Sequence, residues 1–504
     1  MQTVFAAQLK QHALKAPGSQ AFATSRRAIT YADLLGRVQS CAAWLLREGL
    51  ARERRLPPDV VGITIADDVT HMVASLALLS LGVPHVCLPS RDPVAKRTDL
   101  AARLAIRRVV TTEPRHALPG KKASLLTPEH IVAAADVESL HPILADPDAP
   151  ALYYASSGTT GEPKIFALSQ RALAWRAESI ARSERIDRAR GYRSLTPVAV
   201  EDPMAKSRLV TCVYLGATSV LSDRRTSRSL SLQELCARLD VSCLELTVLQ
   251  VSSLVAEGDP QPFPGTTAVY TAGSRVPVKL RQAFKARFGV PLWVHYGTRE
   301  FGRISSTFPD GDGNGEPGTD DVSAETVGAP VRWIDLEIVD ANGSPVAPGQ
   351  LGELKVRAEC MTTGYHGDPV ATARHFRDGW FYPGDVVALT SDGRLCLHGR
   401  SDDMMNLNGI KIFPAEIERV LEQHPAVKAA AAFSKPSAAH GDIPVAAVEL
   451  HAFATAGVDE LLAHARVRLG VRAPRKIIVL DALPRNAAGK LVKRELAQLV
   501  APAG

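Results

Sequence analysis

Residues 153–166 read YYASSGTTGEPKIF: a short apolar run gives way to Ser156, Ser157, Gly158, Thr159, Thr160, Gly161, Glu162, Pro163 and Lys164. Residues of these types suit an anion. Glycines let main-chain N–H groups come close to phosphate oxygens, hydroxyls add adjustable donors, and a lysine adds a point charge. The spacing excludes a Walker A loop, which needs four residues between its glycines and Lys-Ser/Thr after the second; here two residues separate Gly158 from Gly161, and Ile165 follows Lys164. Further along, Tyr296 offers an aromatic face for a purine, Gly297 leaves room for a ligand, and Glu300 offers a carboxylate for a divalent cation. Asp385, at the end of the run GWFYPGD, presents two acceptor oxygens that suit a vicinal diol. Each feature also has a bland reading: a Gly/Thr surface turn, a surface ion pair for Glu300, a tight turn closed by Asp385, and a solvated side chain for Lys490.

Five strings in one order, SSGTTGEPK, YGTRE, GWFYPGD, HGRSDD and PRNAAGK, resemble the motifs of the adenylate-forming superfamily, which includes acyl-CoA synthetases, aryl acid ligases, peptide-synthetase adenylation domains and luciferases. The resemblance runs from the phosphate loop to Lys490 and rests on order and spacing more than on any one string. It implies an α/β protein in three parts: a large N-terminal domain of parallel and mixed sheets covered by helices with a β-rich subdomain (1–399), a hinge (400–402), and a small mobile α+β lid (403–504). It also implies an ATP-dependent ligase that turns a carboxylic acid into an acyl adenylate, releases pyrophosphate and passes the acyl group to a thiol. In that scheme the loop from Ser156 to Lys164 holds the β- and γ-phosphates, while Gly273, Ser274, Tyr296 and Gly297 meet adenine and substrate. Thr160 and Glu300 hold Mg²⁺, Lys490 bridges the carboxylate and the α-phosphate, and Lys490, Thr298 and Glu300 are the catalytic residues. Asp385 accepts from the ribose hydroxyls, and Arg400 reaches ribose and phosphate. Asp402 is the pivot, and Gly409 lines the pantetheine tunnel.

Two departures from the family pattern stand out. Gln170 occupies a position where relatives often carry His, and TPVAVEDPMAKS (196–207) lacks the aromatic-His or Phe-Asp signature expected at the edge of the acyl pocket. There Val200 precedes Glu201 and Asp202. One reading makes this pair a surface acidic turn; the other makes it buried carboxylates that recognise a cationic group on the substrate. Coenzyme A is the simplest acceptor, and the phosphopantetheine of a separate carrier protein is the alternative. Either is expected in trans, because no carrier segment follows Lys490 in the sequence. A non-catalytic nucleotide-binding protein of the same fold is a further reading, and a kinase or P-loop ATPase is disfavoured by the missing Walker A pattern.

The elements that must position these residues follow from size and periodicity. A chain of 504 residues exceeds one ordinary core, and 46% hydrophobic with 22% charged residues describes a globular protein. With 59 basic and 53 acidic residues scattered along the chain, the charge of +6 predicts neither a nucleic-acid footprint nor a membrane partner. No apolar run reaches spanning length and no signal peptide is evident, so a cytoplasmic location is expected. Seven cysteines without CxxC spacing argue for reduced thiols. Periodicity predicts helices at 4–15 (Val4, Phe5, Leu9 and Leu14 inward), 30–50, 69–81, 97–106, 169–183 and 415–423. Strands are predicted at 59–66, 83–88, 108–112, 267–270, 292–294, 335–339, 352–356, 427–433 and 443–450. Strands alternating with helices in the first part imply a parallel sheet covered on both faces. The Gly/Asp-rich stretch 308–319 predicts an exposed loop.

Overall fold

The computed structural model describes residues 3–50, 59–132, 146–156, 163–184, 191–222, 230–257, 261–263, 265, 268–307, 326–437, 439–485 and 491–498. Residues 157–162 of the expected phosphate loop, the stretch 308–319 and Lys490 lie outside them.

Four sheets organise the described chain. The first runs Lys122–Leu125, Arg108–Thr111, Val61–Thr64, His85–Cys87 and Pro150–Ser156 in parallel, closed by the antiparallel strand Lys164–Ser169. Its central strands Val61–Thr64 and Arg108–Thr111 are rich in β-branched and aliphatic residues, as burial on both faces requires. Ala101, Leu104 and Ile106 cover one face, and the other meets helices Val4–Lys15, Tyr31–Arg47 and Asp68–Ser80 in a large apolar core. The second sheet is parallel through Gln20–Ala23, Thr218–Val220, Arg193–Leu195, Cys243–Thr247, Ala268–Ala272 and Leu292–Thr298, with antiparallel strands at both ends. In such sheets ligands bind beyond the carboxyl ends of the strands, and here Thr64, Cys87, Ser156, Ala272 and Thr298 end strands.

The third sheet is antiparallel and built from Asp335–Val339, Gly352–Arg357, Phe376–Arg377, Trp380–Phe381, Asp385–Leu389 and Leu395–Arg400. The fourth joins Met405–Leu407, Ile410–Ile412, Val427–Ser437, Gly441–Leu450 and Lys476–Leu480. Its two apolar clusters draw only on residues beyond 404: Ile417, Val420 and Leu421 of helix Pro414–Glu422 fill one face, Leu483 and Leu496 the other.

The local chemistry of the sequence is obeyed closely. Thr30 and Asp33 form a reciprocal capping box at the start of helix Tyr31–Arg47, and Ser169 caps helix Gln170–Ser183. The differences are instructive. In helix Val4–Lys15, Leu14 is 72% exposed and Ala13 is buried in its place, because the face is set by Phe5 and Leu9 one and two turns back. The strand predicted at 292–294 extends to Thr298, so Tyr296 and Gly297 belong to the ladder and not to the loop after it. Lys164 likewise opens a strand and pairs with Ser156 across a hairpin. All seven cysteines are unbridged, five of them buried. Among the described residues no helix is long and apolar enough to cross a membrane.

Candidate active site

The carboxyl end of strand Leu292–Thr298 meets the third sheet. Tyr296 donates its hydroxyl hydrogen to Asp385 Oδ2 at 2.5 Å, and Arg400, in register opposite Asp385, brings Nη1 to 3.7 Å from Oδ1. Burial, then the charge and hydrogen bond of Asp385, push the Tyr296 hydroxyl well above its ordinary pKa, so it remains a donor. Arg400 also grips Asp402 with two parallel bonds, Nε to Oδ1 at 3.0 Å and Nη2 to Oδ2 at 3.1 Å, and donates to the Pro383 carbonyl at 2.7 Å. Burial alone would ease deprotonation of the guanidinium; the bonds to Asp402 and the charge of Asp385 reverse that. Gly384 has φ +83°, and a Cβ there would stand 3.0 Å from Arg400 Nη2. The turn before Asp385 therefore needs glycine both for its dihedral and for the guanidinium beside it.

A second chain of contacts runs from Lys164. Its ammonium lies 2.9 Å from His375 Nε2 and 5.1 Å from the centre of the Tyr365 ring. His375 Nδ1 stands 2.8 Å from the Tyr382 carbonyl, which fixes the hydrogen on Nδ1 and turns the Nε2 lone pair toward Lys164. Burial and the nearby cations hold His375 below the usual imidazole range, which keeps that lone pair available. Burial and the charge of Arg400 lower Lys164, against the opposing pull of Glu300 and Asp402. Lys164 and the 400–402 segment thus share one electrostatic field. Tyr365 passes the contact on: its hydroxyl donates to Glu300 Oε1 at 3.3 Å. Glu300 Oε2 makes no hydrogen bond among the described residues. A single carboxylate oxygen offered beside the substrate's phosphates is how Mg²⁺ is commonly held, so the residues present fit that ion.

Arg176, from the middle of helix Gln170–Ser183, fixes the backbone around Glu300. It donates to the carbonyls of Arg299 and Glu300, each at 2.8 Å, and of Cys360 at 3.0 Å. Nothing in the sequence marked Arg176, Tyr365 or His375, since each acts through a partner distant along the chain; the run GYHGDPVATARHF, which holds two of them, lies outside the five motif strings.

Other expected residues find different settings. A Cβ on Gly297 would fall 2.1 Å from the Gly302 carbonyl oxygen, so its missing side chain makes room for the neighbouring strand at a bulge, not for a ligand. Thr298 Oγ1 accepts from Phe301 N at 3.2 Å and closes the turn that carries Glu300. Gly273, at φ +89°, and Ser274 are exposed just past strand Ala268–Ala272. Gly409 follows Asn408 in a two-residue hairpin turn with both φ positive, 51° and 86°, exposed at the tip. Of the phosphate loop, Ser156 ends its strand, while Ser157, Gly158, Thr159, Thr160 and Gly161 lie outside the described residues, as does Lys490.

At 200–202 the surface-turn reading fails. Val200 and Glu201 are 1% and 4% exposed, and Glu201 Oε1 accepts from Ser90 N at 2.6 Å while Oε2 accepts from Ser90 Oγ at 3.1 Å. Asp202 caps helix Pro203–Leu215 through Met204 N and lies 3.7 Å from Arg91. Both carboxylates hold the segment onto the loop after strand His85–Cys87.

A family model described as AMP-binding enzyme matches residues 9–366, and a second, AMP-binding enzyme C-terminal domain, matches 416–490. The chain is 29% identical to a 2-succinylbenzoate–CoA ligase of Geobacillus kaustophilus over 98% of this chain and 97% of that protein. It is 26% identical to a 4-chlorobenzoate–CoA ligase of an Arthrobacter species, over 93% and 89%. Among solved structures, O-succinylbenzoate coenzyme A synthetase of Bacillus subtilis with ATP and magnesium superposes with a TM-score of 0.82 at 24% identity, covering 98% of this chain and 99% of that one.

Proposed function

The chain belongs to the AMP-binding enzyme family, and on that premise we propose that it is an ATP-dependent acid–thiol ligase, forming an acyl adenylate with release of pyrophosphate and then an acyl-coenzyme A. What supports this reading most is that Tyr296, Asp385, Arg400, Lys164 and Glu300, drawn from separate stretches of sequence, belong to one connected set of contacts and charges. Asp385, steadied by Tyr296, accepts from the ribose, and Arg400 and Lys164 face the phosphates with the Ser157–Gly161 residues. A substrate carboxylate is ionised near pH 7 and needs no base. Catalysis is positioning plus neutralisation of charge around the α-phosphate, with Lys490 bridging the two anions. Magnesium, held by Glu300 and Thr160, supplies further neutralisation when bound.

The working units are 1–399 and 403–504, joined at 400–402; the self-contained clusters beyond residue 404 support that division. Rotation about Asp402 exchanges Lys490 for the Gly409 turn between the half-reactions. The segment 200–202 edges the acid pocket, Gly273 and Ser274 border the adenine, and the enzyme works in the cytoplasm. A carrier-protein phosphopantetheine in trans presents the same thiol arm as coenzyme A and remains the second acceptor. Carboxylate-dependent exchange of labelled pyrophosphate into ATP tests the reading: exchange with AMP as the final product supports it. ADP as product would make the protein a kinase, and nucleotide binding without exchange would make it a non-catalytic relative.

A further inference from the structure

Lys206 is a buried lysine with no part in the adenylation chemistry proposed for the site. It stands at the second turn's start in helix Pro203–Leu215, four residues past its cap Asp202, and is 2% exposed. No hydrogen bond or ion pair to its ammonium forms among the described residues. The carboxylates that could have paired with it are committed elsewhere: Glu201 to Ser90, Asp202 to Met204 N and Arg91. The titratable groups that feel its charge are His71 from helix Asp68–Ser80 and His85 and Cys87 from the strand beside it. None of them is an anion. Burial and the charge of Lys206 keep both imidazoles neutral, and burial pushes the Cys87 thiol up to about 12.

The surroundings point the same way. Strand Pro150–Ser156 pairs with His85–Cys87, Tyr153 lying opposite Val86, and the hydroxyl of the next residue, Tyr154, is buried with no hydrogen-bond partner among the described residues. These strands end where the phosphate loop begins, and 196–202 is hydrogen-bonded across those ends through Ser90 and Asp68. His71 Nε2, which feels the Lys206 charge, is buried without a partner too, but as an acceptor; the Lys206 ammonium and the Tyr154 hydroxyl, donors without acceptors among the described residues, are costly unless a group from outside the chain satisfies them. A group that only accepts hydrogen bonds and carries negative charge does so.

We propose that Lys206 selects the acid: the substrate carries, besides the carboxylate that is adenylated, a second anionic group such as a carboxylate or sulfonate, which pairs with the Lys206 ammonium. This rests on the ligase reading above and reverses the charge that Glu201 and Asp202 suggested in the sequence. Burial holds Lys206 down at about 7, so an arriving anion draws a proton onto it.

The test compares wild type, K206M and K206R on matched acids: glutarate and terephthalate, their neutral counterparts valerate and 4-methylbenzoate, and the cationic 5-aminopentanoate and 4-(aminomethyl)benzoate. Pyrophosphate release gives kcat/KM, and calorimetric titration in two buffers of different ionisation enthalpy gives affinity and proton uptake. At least one diacid is expected to exceed its neutral counterpart by tenfold or more in wild type, with proton uptake. K206M should abolish both the preference and the uptake, and K206R should keep much of the preference. Preference for neutral or amino-bearing acids, or equal loss on all acids in K206M, overturns the proposal while leaving the ligase reading intact. Diacid binding with Lys206-dependent proton uptake but no pyrophosphate release supports the anion site and overturns the ligase reading. Failure of every acid both to bind and to turn over overturns both.

Discussion

The 2.5 Å bond from Tyr296 to Asp385 makes a residue-scale prediction. Hydrogen bonds to charged groups contribute about 1.5–3 kcal/mol, so Y296F should raise the KM for ATP on the order of tenfold, and D385A, which removes the carboxylate itself, further; equal KM values in pyrophosphate exchange would refute the ribose assignment. His375 acts on Lys164 only through an acceptor nitrogen. H375A should weaken ATP binding roughly tenfold, the worth of one hydrogen bond, and H375Q, which offers a carbonyl oxygen, should recover part of it. A purely structural histidine would show no such rescue. Lys206 has its own signature in stability. Its folded pKa of about 7 lies below its unfolded value, so between pH 7 and the ordinary lysine range the unfolded chain binds more protons and stability rises with pH. Denaturant titrations should find K206M more stable than wild type near pH 7–8, with the gap narrowing toward pH 10; a constant gap would mean the lysine titrates normally.

At the scale of elements, helix Gln170–Ser183 serves the site by reaching over it with Arg176. Three carbonyls from two segments depend on that one guanidinium. R176M should cost about 2–4 kcal/mol in urea unfolding, the range for hydrogen bonds from a charged donor lost at a partly buried site, and should lower kcat because Glu300 loses its fixed backbone. Unchanged kcat with lowered stability would make Arg176 a strut only. The bulge at Gly297 belongs to the same scale. Its signal in sequence, a glycine inside an aromatic and β-branched run, fits a ligand space and a strand crossing equally well, and only the carbonyl of Gly302 decides between them.

For the whole molecule the prediction concerns the two units. Across the proposed division Arg275 lies 2.5 Å from Glu422, and Lys279 donates to the Glu422 and Gln423 carbonyls at 3.3 Å. K490A should reduce adenylate formation by 100-fold or more, on the order expected for lost electrostatic stabilisation of the transition state. Thioester formation from a supplied acyl adenylate should change less than about tenfold, because a group placed for one half-reaction contributes little to the other. Equal losses in both half-reactions would deny the exchange of faces about Asp402.

The sequence alone carried the order of motifs, the alternation of strands and helices, the capping box at Thr30 and Asp33, and the amphipathic face of helix Pro414–Glu422. These depend on dihedral preferences and on periods of two or 3.6 residues, which neighbours along the chain determine. What needed the tertiary structure were meetings across distance, Lys164 with His375, 211 residues apart, and Glu201 with Ser90, 111 apart, and the burial of Lys206 with no partner for its ammonium among the described residues. A lone lysine, histidine or glutamate reads the same in any sequence, whether it faces water, a neighbour or a ligand. Its charge state and its role follow from which strand ends and helix faces the packed sheets bring against it, and that is a property of the whole core.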